Sequence, residues 1–145
     1  MDKMTAQVLI IEDNAVLAEE ITRSLAGICR VEVVVSEDEA KPSLQGKSYS
    51  LAIIDADLST HKGLEVFKRL RRLTPRLPFL MISSTSDTAL AVAATKAGVA
   101  DFIRKPLQAD LLQSAVKQVL AEKGIAAPLR FSGAPDSEWF IGGST

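Results

Sequence analysis

The 145-residue sequence has few of the residues that mark an exported, zinc-binding or membrane-embedded protein. It contains one cysteine and one histidine, and no apolar run is long enough to cross a bilayer. The lone Cys29 cannot form a disulfide within the chain, and His61 has no partner residues for a zinc site. The opening MDKMTAQ lacks the apolar stretch of a signal peptide. We therefore expect a cytoplasmic protein with no membrane segment, a partly buried Cys29 thiol and a solvent-exposed His61.

Neither sign of charge dominates the chain. Its 17 Lys and Arg residues stand against 18 Asp and Glu residues, so no broad basic field is present to hold nucleic-acid phosphates. We therefore expect no direct nucleic-acid binding by this segment. Hydrophobic residues make up 47% of the chain, which is enough for the core of one ordinary domain with a short appendage.

Five short apolar runs alternate with five helical patterns along the chain. Uninterrupted runs such as VLII are typical of strands that are buried on both faces of a parallel sheet. Strict alternation of strand and helix predicts a doubly wound α/β fold, in which helices cover both faces of a five-stranded parallel sheet. The predicted strands are 8–11, 31–35, 51–54, 79–82 and 101–104.

Capping and breaking residues predict where the helices begin and end. Asn14 is placed to cap the first helix, and residues 36–39 form a capping box for the second. Pro42 lies beyond the first turn of that second helix, so we expect a short or distorted helix there. Pro75 should stop the third helix, and Gly98 should close the fourth.

The residues at the ends of the predicted strands carry the chemistry. Glu12 and Asp13 follow the first strand, Asp55 the third, Ser83 the fourth and Lys105 the fifth. Because the carboxyl ends of parallel strands meet at one edge of the sheet, these side chains should share a crevice.

Clustered carboxylates repel one another unless a cation joins them, and oxygen ligands favour Mg²⁺. The sequence therefore predicts a magnesium site. Asp13 and Asp55 would bind the ion directly, Glu12 would bind through water, and the backbone carbonyl of Asp57 would complete the shell.

Four segments, VLIIEDN, LAIIDADLSTHKGLEV, MISS and DFIRKPL, resemble in order and spacing the receiver domains of bacterial two-component response regulators. The resemblance covers about residues 7–123 and implies the strand order 2-1-3-4-5. It implies that Asp55 is the phosphoacceptor and that Ser83 is the switch hydroxyl. It also implies that Lys105 contacts the phosphoryl group and is joined to the following Pro106 by a cis peptide bond. Phe102 stands at the aromatic switch position.

The resemblance implies a signalling switch and not an enzyme, since a receiver catalyses only its own phosphorylation and dephosphorylation. The phosphoryl donor would be a phosphohistidine on a sensor histidine kinase or a histidine phosphotransfer protein, with Mg²⁺ as cofactor. Phosphorylation would switch a partner protein or a downstream effector domain, and the process controlled would be transcription. A homodimer through the fourth helix, fifth strand and fifth helix is a further expectation.

Two departures from the family and two competing functions bear on this interpretation. Ser59 stands where many receivers have proline, and Asp57 adds an acid two positions after the phosphoacceptor. A flavodoxin-like flavin domain would need a first loop rich in Gly, Ser and Thr, whereas this loop is acidic. A degenerate receiver that only binds proteins would have no reason to retain the acids, the hydroxyl and the lysine together.

The segment 46–48 has the Gly-Lys-Ser of a P-loop, but it lacks the first glycine of that motif and precedes a strand instead of following one. We therefore expect no nucleotide triphosphate hydrolysis.

The last part of the chain has a different composition. Repeated Gly and Pro between residues 124 and 145 predict a linker or C-terminal tail after a receiver domain at 1–123. Within it, WFIGGST weakly resembles the opening of the central ATPase domain in sigma-54-type (NtrC-like) activators. Two interpretations stay open: the docked tail of a stand-alone receiver, or the linker of a longer regulator.

Overall fold

The computed structural model describes residues 6–58, 62–84 and 88–122. Within these ranges strands and helices alternate without exception. The predictions for His61, Ser59 and the tail from 124 to 145 lie outside the described residues. The elements are β1 Gln7–Ile11, α1 Ala15–Ser24, β2 Arg30–Val34, α2 Glu37–Gly46, β3 Leu51–Asp55, α3 Gly63–Leu73, β4 Phe79–Ser83, α4 Thr88–Ala97, β5 Asp101–Arg104 and α5 Ala109–Glu122.

The five strands form one parallel sheet in the order β2-β1-β3-β4-β5. The central pairs are aligned so that Ile10 lies beside Ile53, and Ile54 beside Met81. The chain therefore has the predicted doubly wound fold, with its winding reversed between β1 and β3. In such sheets the functional crevice lies outside the carboxyl ends of the strands at this reversal.

Side chains of each central strand alternate between two separate cores. Val8 and Ile10 of β1 pack with α1 and α5, whereas Leu9 and Ile11 pack on the opposite face with α2 and α3. The same division holds for β3 and β4, and every residue of those two strands is buried. Burial on both faces explains why these strands are continuous apolar runs without polar alternation.

Most helix boundaries follow the local signals. The Asn14 side chain caps α1 by accepting hydrogen bonds from the backbone N–H groups of Val16 and Leu17. Gly98 follows α4 with φ of +108°, a conformation that side-chain-bearing residues rarely adopt. The predicted second strand is one residue late, because β2 ends at Val34 and Val35 is exposed.

The sequence predicted a short or distorted second helix at Pro42, and the shortening is wrong. Helix α2 has 10 residues, the same length as α1, and continues through Pro42 to Gly46. Pro42 is exposed, so water can bond the carbonyl that its missing N–H leaves without a partner. The capping box also differs in detail: Ser36 accepts from the Glu39 N–H, but Glu39 Oε1 accepts from the N–H of Val35.

An ion pair joins α2 to α3. Arg69 donates from Nε and Nη2 to the two carboxylate oxygens of Glu37 at 2.7 and 2.8 Å. The Nζ of Lys41 lies 3.8 Å from the same carboxylate. Glu37 is only 7% exposed, so this carboxylate depends on the guanidinium for both of its oxygens. We call these three residues the α2–α3 ion cluster.

Two further observations bear on the remaining sequence predictions. Cys29 is partly buried, as expected, and burial raises the pKa of its thiol to about 11. Among the described helices, none combines the length and the apolar character that crossing a membrane would require.

Candidate functional site

The site lies at the carboxyl edge of the sheet, where backbone hydrogen bonds continue one residue past each strand. Glu12 donates its N–H to Val34, Ala56 to Ile82, and Lys105 to Ser83, at 2.8 to 2.9 Å. These bonds fix the first residues after β1, β3 and β5 against their neighbouring strands. The functional side chains are therefore set by the ends of the sheet itself.

The strand ends enclose a cleft of about 500 Å³. Glu12 and Asp55 are 1% and 3% exposed at its floor, whereas Asp13 and Asp57 are exposed at its mouth. We call this the acidic cleft, because it holds four carboxyl groups and one ammonium. Its lining residues are Glu12, Asp13, Asn14, Asp55, Asp57, Ser84 and Lys105.

Lys105 is the cation of the acidic cleft, and it is shared between two acids. Its Nζ lies 3.0 Å from Asp55 Oδ2 and 3.0 Å from Asp57 Oδ2. Burial by itself disfavours the charged amine, but the hydrogen bonds to both carboxylates outweigh burial and raise the pKa of Lys105 above its ordinary value. Lys105 is therefore charged at neutral pH. The Lys105–Pro106 peptide bond is cis, as the family resemblance implied.

Asp57 contributes both its backbone and its side chain. Its N–H donates to Asp55 Oδ1 at 2.7 Å, which fixes the orientation of the Asp55 carboxylate. Its own Oδ2 accepts the Ser84 N–H at 2.9 Å. Burial disfavours ionisation of Asp57, but the bonds from Ser84 and Lys105 more than offset it and lower the pKa of this carboxyl. The Asp57 carboxylate is thus turned toward Lys105 and β4.

Glu12 has the most perturbed environment in the acidic cleft. Burial, followed by its interaction with Asp55, raises the pKa of Glu12 to about 8. Its Oε2 accepts the Asn14 N–H at 3.1 Å, but the buried Oε1 has no hydrogen-bond partner among the described residues. A buried carboxylate oxygen without a donor is costly unless a cation or water satisfies it.

These residues fit a divalent cation. Glu12, Asp13 and Asp55 each offer one carboxylate oxygen, and these three atoms lie within 4.8 Å of one another. A set of oxygen ligands beside an open cleft suits Mg²⁺, which keeps several waters when bound to proteins. The excess of carboxyl groups over Lys105 is charge that such a cation would offset.

Comparison with known proteins identifies the family. The family model for the response regulator receiver domain matches residues 8–117 of this chain. This chain belongs to the response regulator receiver family. The receiver resembles ZraR, a transcriptional regulatory protein of Salmonella typhimurium, at 28% identity over 115 residues, covering 79% of this chain and 26% of ZraR.

A second relative and a solved structure agree with this assignment. The response regulator protein TodT of Pseudomonas putida is 29% identical over 136 residues, covering 92% of this chain and 57% of TodT. The crystal structure of a putative response regulator from Chloroflexus aurantiacus matches with a TM-score of 0.74 and 30% identity, covering 81% of this chain and 98% of that one. The receiver spans between a quarter and somewhat over half of these two curated relatives.

Four of the residues that the sequence singled out at the strand ends line the acidic cleft, namely Glu12, Asp13, Asp55 and Lys105. Ser83 is the last residue of β4 and is fully buried. Its backbone carbonyl accepts a hydrogen bond from the Lys105 N–H. Phe102 is partly buried and packs against the core that α2 and α3 cover. The sequence had predicted a backbone carbonyl ligand and an extra negative charge at Asp57, and the structure places its side chain in the acidic cleft beside Lys105.

Two residues near the site escaped the sequence analysis. Gly63 begins α3, and a Cβ at this position would overlap the backbone of Asp55 and Ala56. Only glycine allows α3 to approach the end of β3 so closely. Ser84 contributes its backbone N–H, a group that every residue except proline carries. The glycine after LAIIDADLSTHK was a readable signal for the first residue, but no signal marked the second.

Proposed function

We propose that the receiver is phosphorylated on Asp55 in a Mg²⁺-dependent reaction, with a phosphohistidine of a sensor histidine kinase or histidine phosphotransfer protein as donor. The observation that carries this proposal is the position of Asp55 and the contacts of its two oxygens. It is a carboxylate at the end of the central strand β3, 3% exposed at the floor of the acidic cleft. Its two oxygens are held by Lys105 and by the Asp57 N–H.

This arrangement suits a nucleophile in phosphoryl transfer. An Asp55 oxygen would form the bond to phosphorus as the bond from phosphorus to the donor nitrogen breaks, and the leaving imidazole keeps that electron pair. Lys105 would offset negative charge on the phosphoryl oxygens, because its ammonium already lies at hydrogen-bond distance from the attacking carboxylate. Bound Mg²⁺ would polarise the phosphoryl oxygens. Asp13 and Glu12, with Asp55 and the Asp57 carbonyl, would hold it.

Acetyl phosphate offers a direct test of this proposal. Incubation with acetyl phosphate and Mg²⁺ should add the mass of one phosphoryl group, in a linkage that is stable to acid and labile to alkali. Omission of Mg²⁺ or the substitution Asp55→Asn should abolish the increase. Asp101→Asn makes the same chemical change at the opposite edge of the sheet and should leave labelling intact. Labelling of Asp55→Asn at the normal rate would exclude Asp55 as the acceptor.

The same site is proposed to drive a switch. Ser83 would bond the phosphoryl group, and Phe102 would turn inward, which reshapes the surface of α4, β5 and α5 for an effector or a second copy of the receiver. The first step is supported by the backbone bond from the Lys105 N–H to the Ser83 carbonyl, which holds the end of β4 next to the start of the Lys105 loop. Beryllofluoride with Mg²⁺ should then alter amide exchange across α4, β5 and α5, whereas changes confined to the cleft would contradict the coupling.

We also propose that the receiver controls transcription within a longer protein. ZraR is named a transcriptional regulatory protein and TodT a response regulator, and both are longer than the segment they share with this chain. A coding sequence for a DNA-binding domain in the same reading frame would support this output. An output through a separate protein would be supported by a stop codon directly after Thr145.

A further inference from the structure

The side chain of Asp57 occupies two hydrogen-bond donors that an anion bound at Asp55 would need. A single oxygen, Asp57 Oδ2, accepts the Ser84 N–H at 2.9 Å and lies 3.0 Å from the Lys105 ammonium. Both donors line the acidic cleft, and Lys105 also contacts Asp55. A charged amine and a backbone N–H converging on one oxygen are the groups that bind phosphoryl oxygens in proteins.

We propose that Asp57 is an internal competitor of the phosphoryl group: its carboxylate holds Lys105 and the Ser84 N–H in the unphosphorylated receiver and must release them before a phosphoryl group can bind. This inference rests on the proposed function of Asp55. The side chain of Asp57 thus sets how readily the cleft accepts its ligand. It does not itself take part in the transfer.

Burial and charge support a carboxylate that can leave. The Asp57 side chain is 34% exposed, whereas the Asp55 side chain is 3% exposed. A carboxylate at the mouth can turn into water at modest cost, but the buried Asp55 carboxylate cannot. The ammonium of Lys105 would then be released from one of its two acids. A phosphoryl oxygen would take the place of the Asp57 oxygen and accept from the same two donors, the Lys105 ammonium and the Ser84 N–H. No further protein group would have to enter the cleft.

Two other roles of Asp57 would leave different signatures. If its charge only repelled anionic donors over a distance, the effect would fade as salt screens it. If Asp57 instead held Lys105 in the correct position for catalysis, removing its carboxylate would slow phosphorylation. Competition for direct contacts predicts faster phosphorylation and tighter anion binding when the carboxylate is removed, and much of this gain should persist at high salt.

The test compares Asp57→Asn and Asp57→Ala with the wild type, using Mg²⁺ with beryllofluoride and with acetyl phosphate. The affinity for beryllofluoride, followed by fluorine NMR, should increase by about 3-fold to 10-fold, the net scale of one ordinary hydrogen bond at a partly exposed site. The rate of phosphorylation by acetyl phosphate should rise in the same direction. Asp57→Ala should gain at least as much as Asp57→Asn, because the Asn amide oxygen can still accept the Ser84 N–H. Glu122→Gln removes one charge at the far end of α5 and should change neither quantity.

NMR of the metal-free protein supplies a readout that is independent of phosphorylation. The NMR signals of the Ser84 amide and the Lys105 side chain should shift in metal-free Asp57→Ala, and beryllofluoride added with Mg²⁺ should shift the same two signals in the wild type. Unchanged or weaker beryllofluoride binding in both variants, or a gain that vanishes at 0.5 M salt by screening, would overturn the competition. Failure of the wild type to become labelled would instead overturn the proposed function of Asp55.

Discussion

The α2–α3 ion cluster and the acidic cleft place buried carboxylates in opposite situations. Glu37 receives two hydrogen bonds from Arg69, and Lys41 lies nearby, so its charge is fully compensated. In the acidic cleft one ammonium faces four carboxyl groups, and one buried oxygen of Glu12 has no donor among the described residues. The first cluster joins two helices. The second is incomplete without a ligand.

This difference separates a structural use of charge from a functional one. A compensated buried pair gains nothing from a further ion, and its loss mainly affects stability. An uncompensated cluster destabilises the empty protein but would provide binding energy for a cation and, in the proposed function, for a phosphoryl group. A perturbed pKa fits this division, because burial beside Asp55 raises the pKa of Glu12 in the cleft to about 8.

Removing the cation from each cluster should have the largest and most divergent effects. Lys105→Met removes the charge that would meet the phosphoryl oxygens, so the rate of phosphorylation by acetyl phosphate should fall about 100-fold. Arg69→Met should leave that rate unchanged but lower the Tm, because Glu37 stays buried without its guanidinium. Rates from mass spectrometry and Tm from thermal unfolding provide the comparison. Equal slowing in both variants would remove the distinction between the clusters.

The pH dependence of stability should come from the cleft. Burial beside Asp55 raises the pKa of Glu12 from 4.5 to about 8, so between these values the folded state holds a proton that the unfolded state has lost. The free energy of unfolding of the metal-free protein should therefore fall by about 2 kcal/mol as the pH rises from about 6 to 8. Chemical denaturation across this range measures the slope.

Glu12→Gln supplies the control for the pH prediction. An amide does not titrate, so the variant should lack most of this slope. Saturating Mg²⁺ should also flatten it in the wild type, because a bound cation favours the ionised carboxylate. The other groups with shifted pKa values titrate outside this window. An unchanged slope in Glu12→Gln would contradict the assignment of the effect to this residue.

Neutralising an acid at the mouth of the cleft should have the smallest effect. It should weaken Mg²⁺ binding but should not destabilise the metal-free protein. Asp13→Asn should weaken Mg²⁺ binding about 10-fold, as measured by calorimetry. The metal-free protein should retain or increase its Tm, because one of several mutually repelling carboxylates is gone. Asp101→Asn, at the other edge of the sheet, should change neither value. Unaltered Mg²⁺ affinity in Asp13→Asn would remove Asp13 from the coordination shell.

Most of the fold could be predicted from local patterns. The apolar runs at β1, β3 and β4 are unbroken because both faces of the sheet are covered, and this burial leaves a direct mark in the sequence. The fate of Pro42 could not be predicted in the same way. Its cost depends on whether its side of α2 faces water, and only packing against the sheet decides that.

The sequence by itself determined that acids, a hydroxyl and a lysine stand at the ends of the strands, and parallel topology then brings strand ends to one edge. It therefore predicted the composition of the site at Asp13, Asp55 and Lys105. The tertiary structure alone decided that Asp57 shares Lys105 with Asp55, and that Glu12 is buried with one oxygen lacking a donor among the described residues. The physical reason is distance. Strand-end positions follow from the chain pattern, but an ion pair at 3.0 Å depends on the packing of β1, β3, β4 and β5 together.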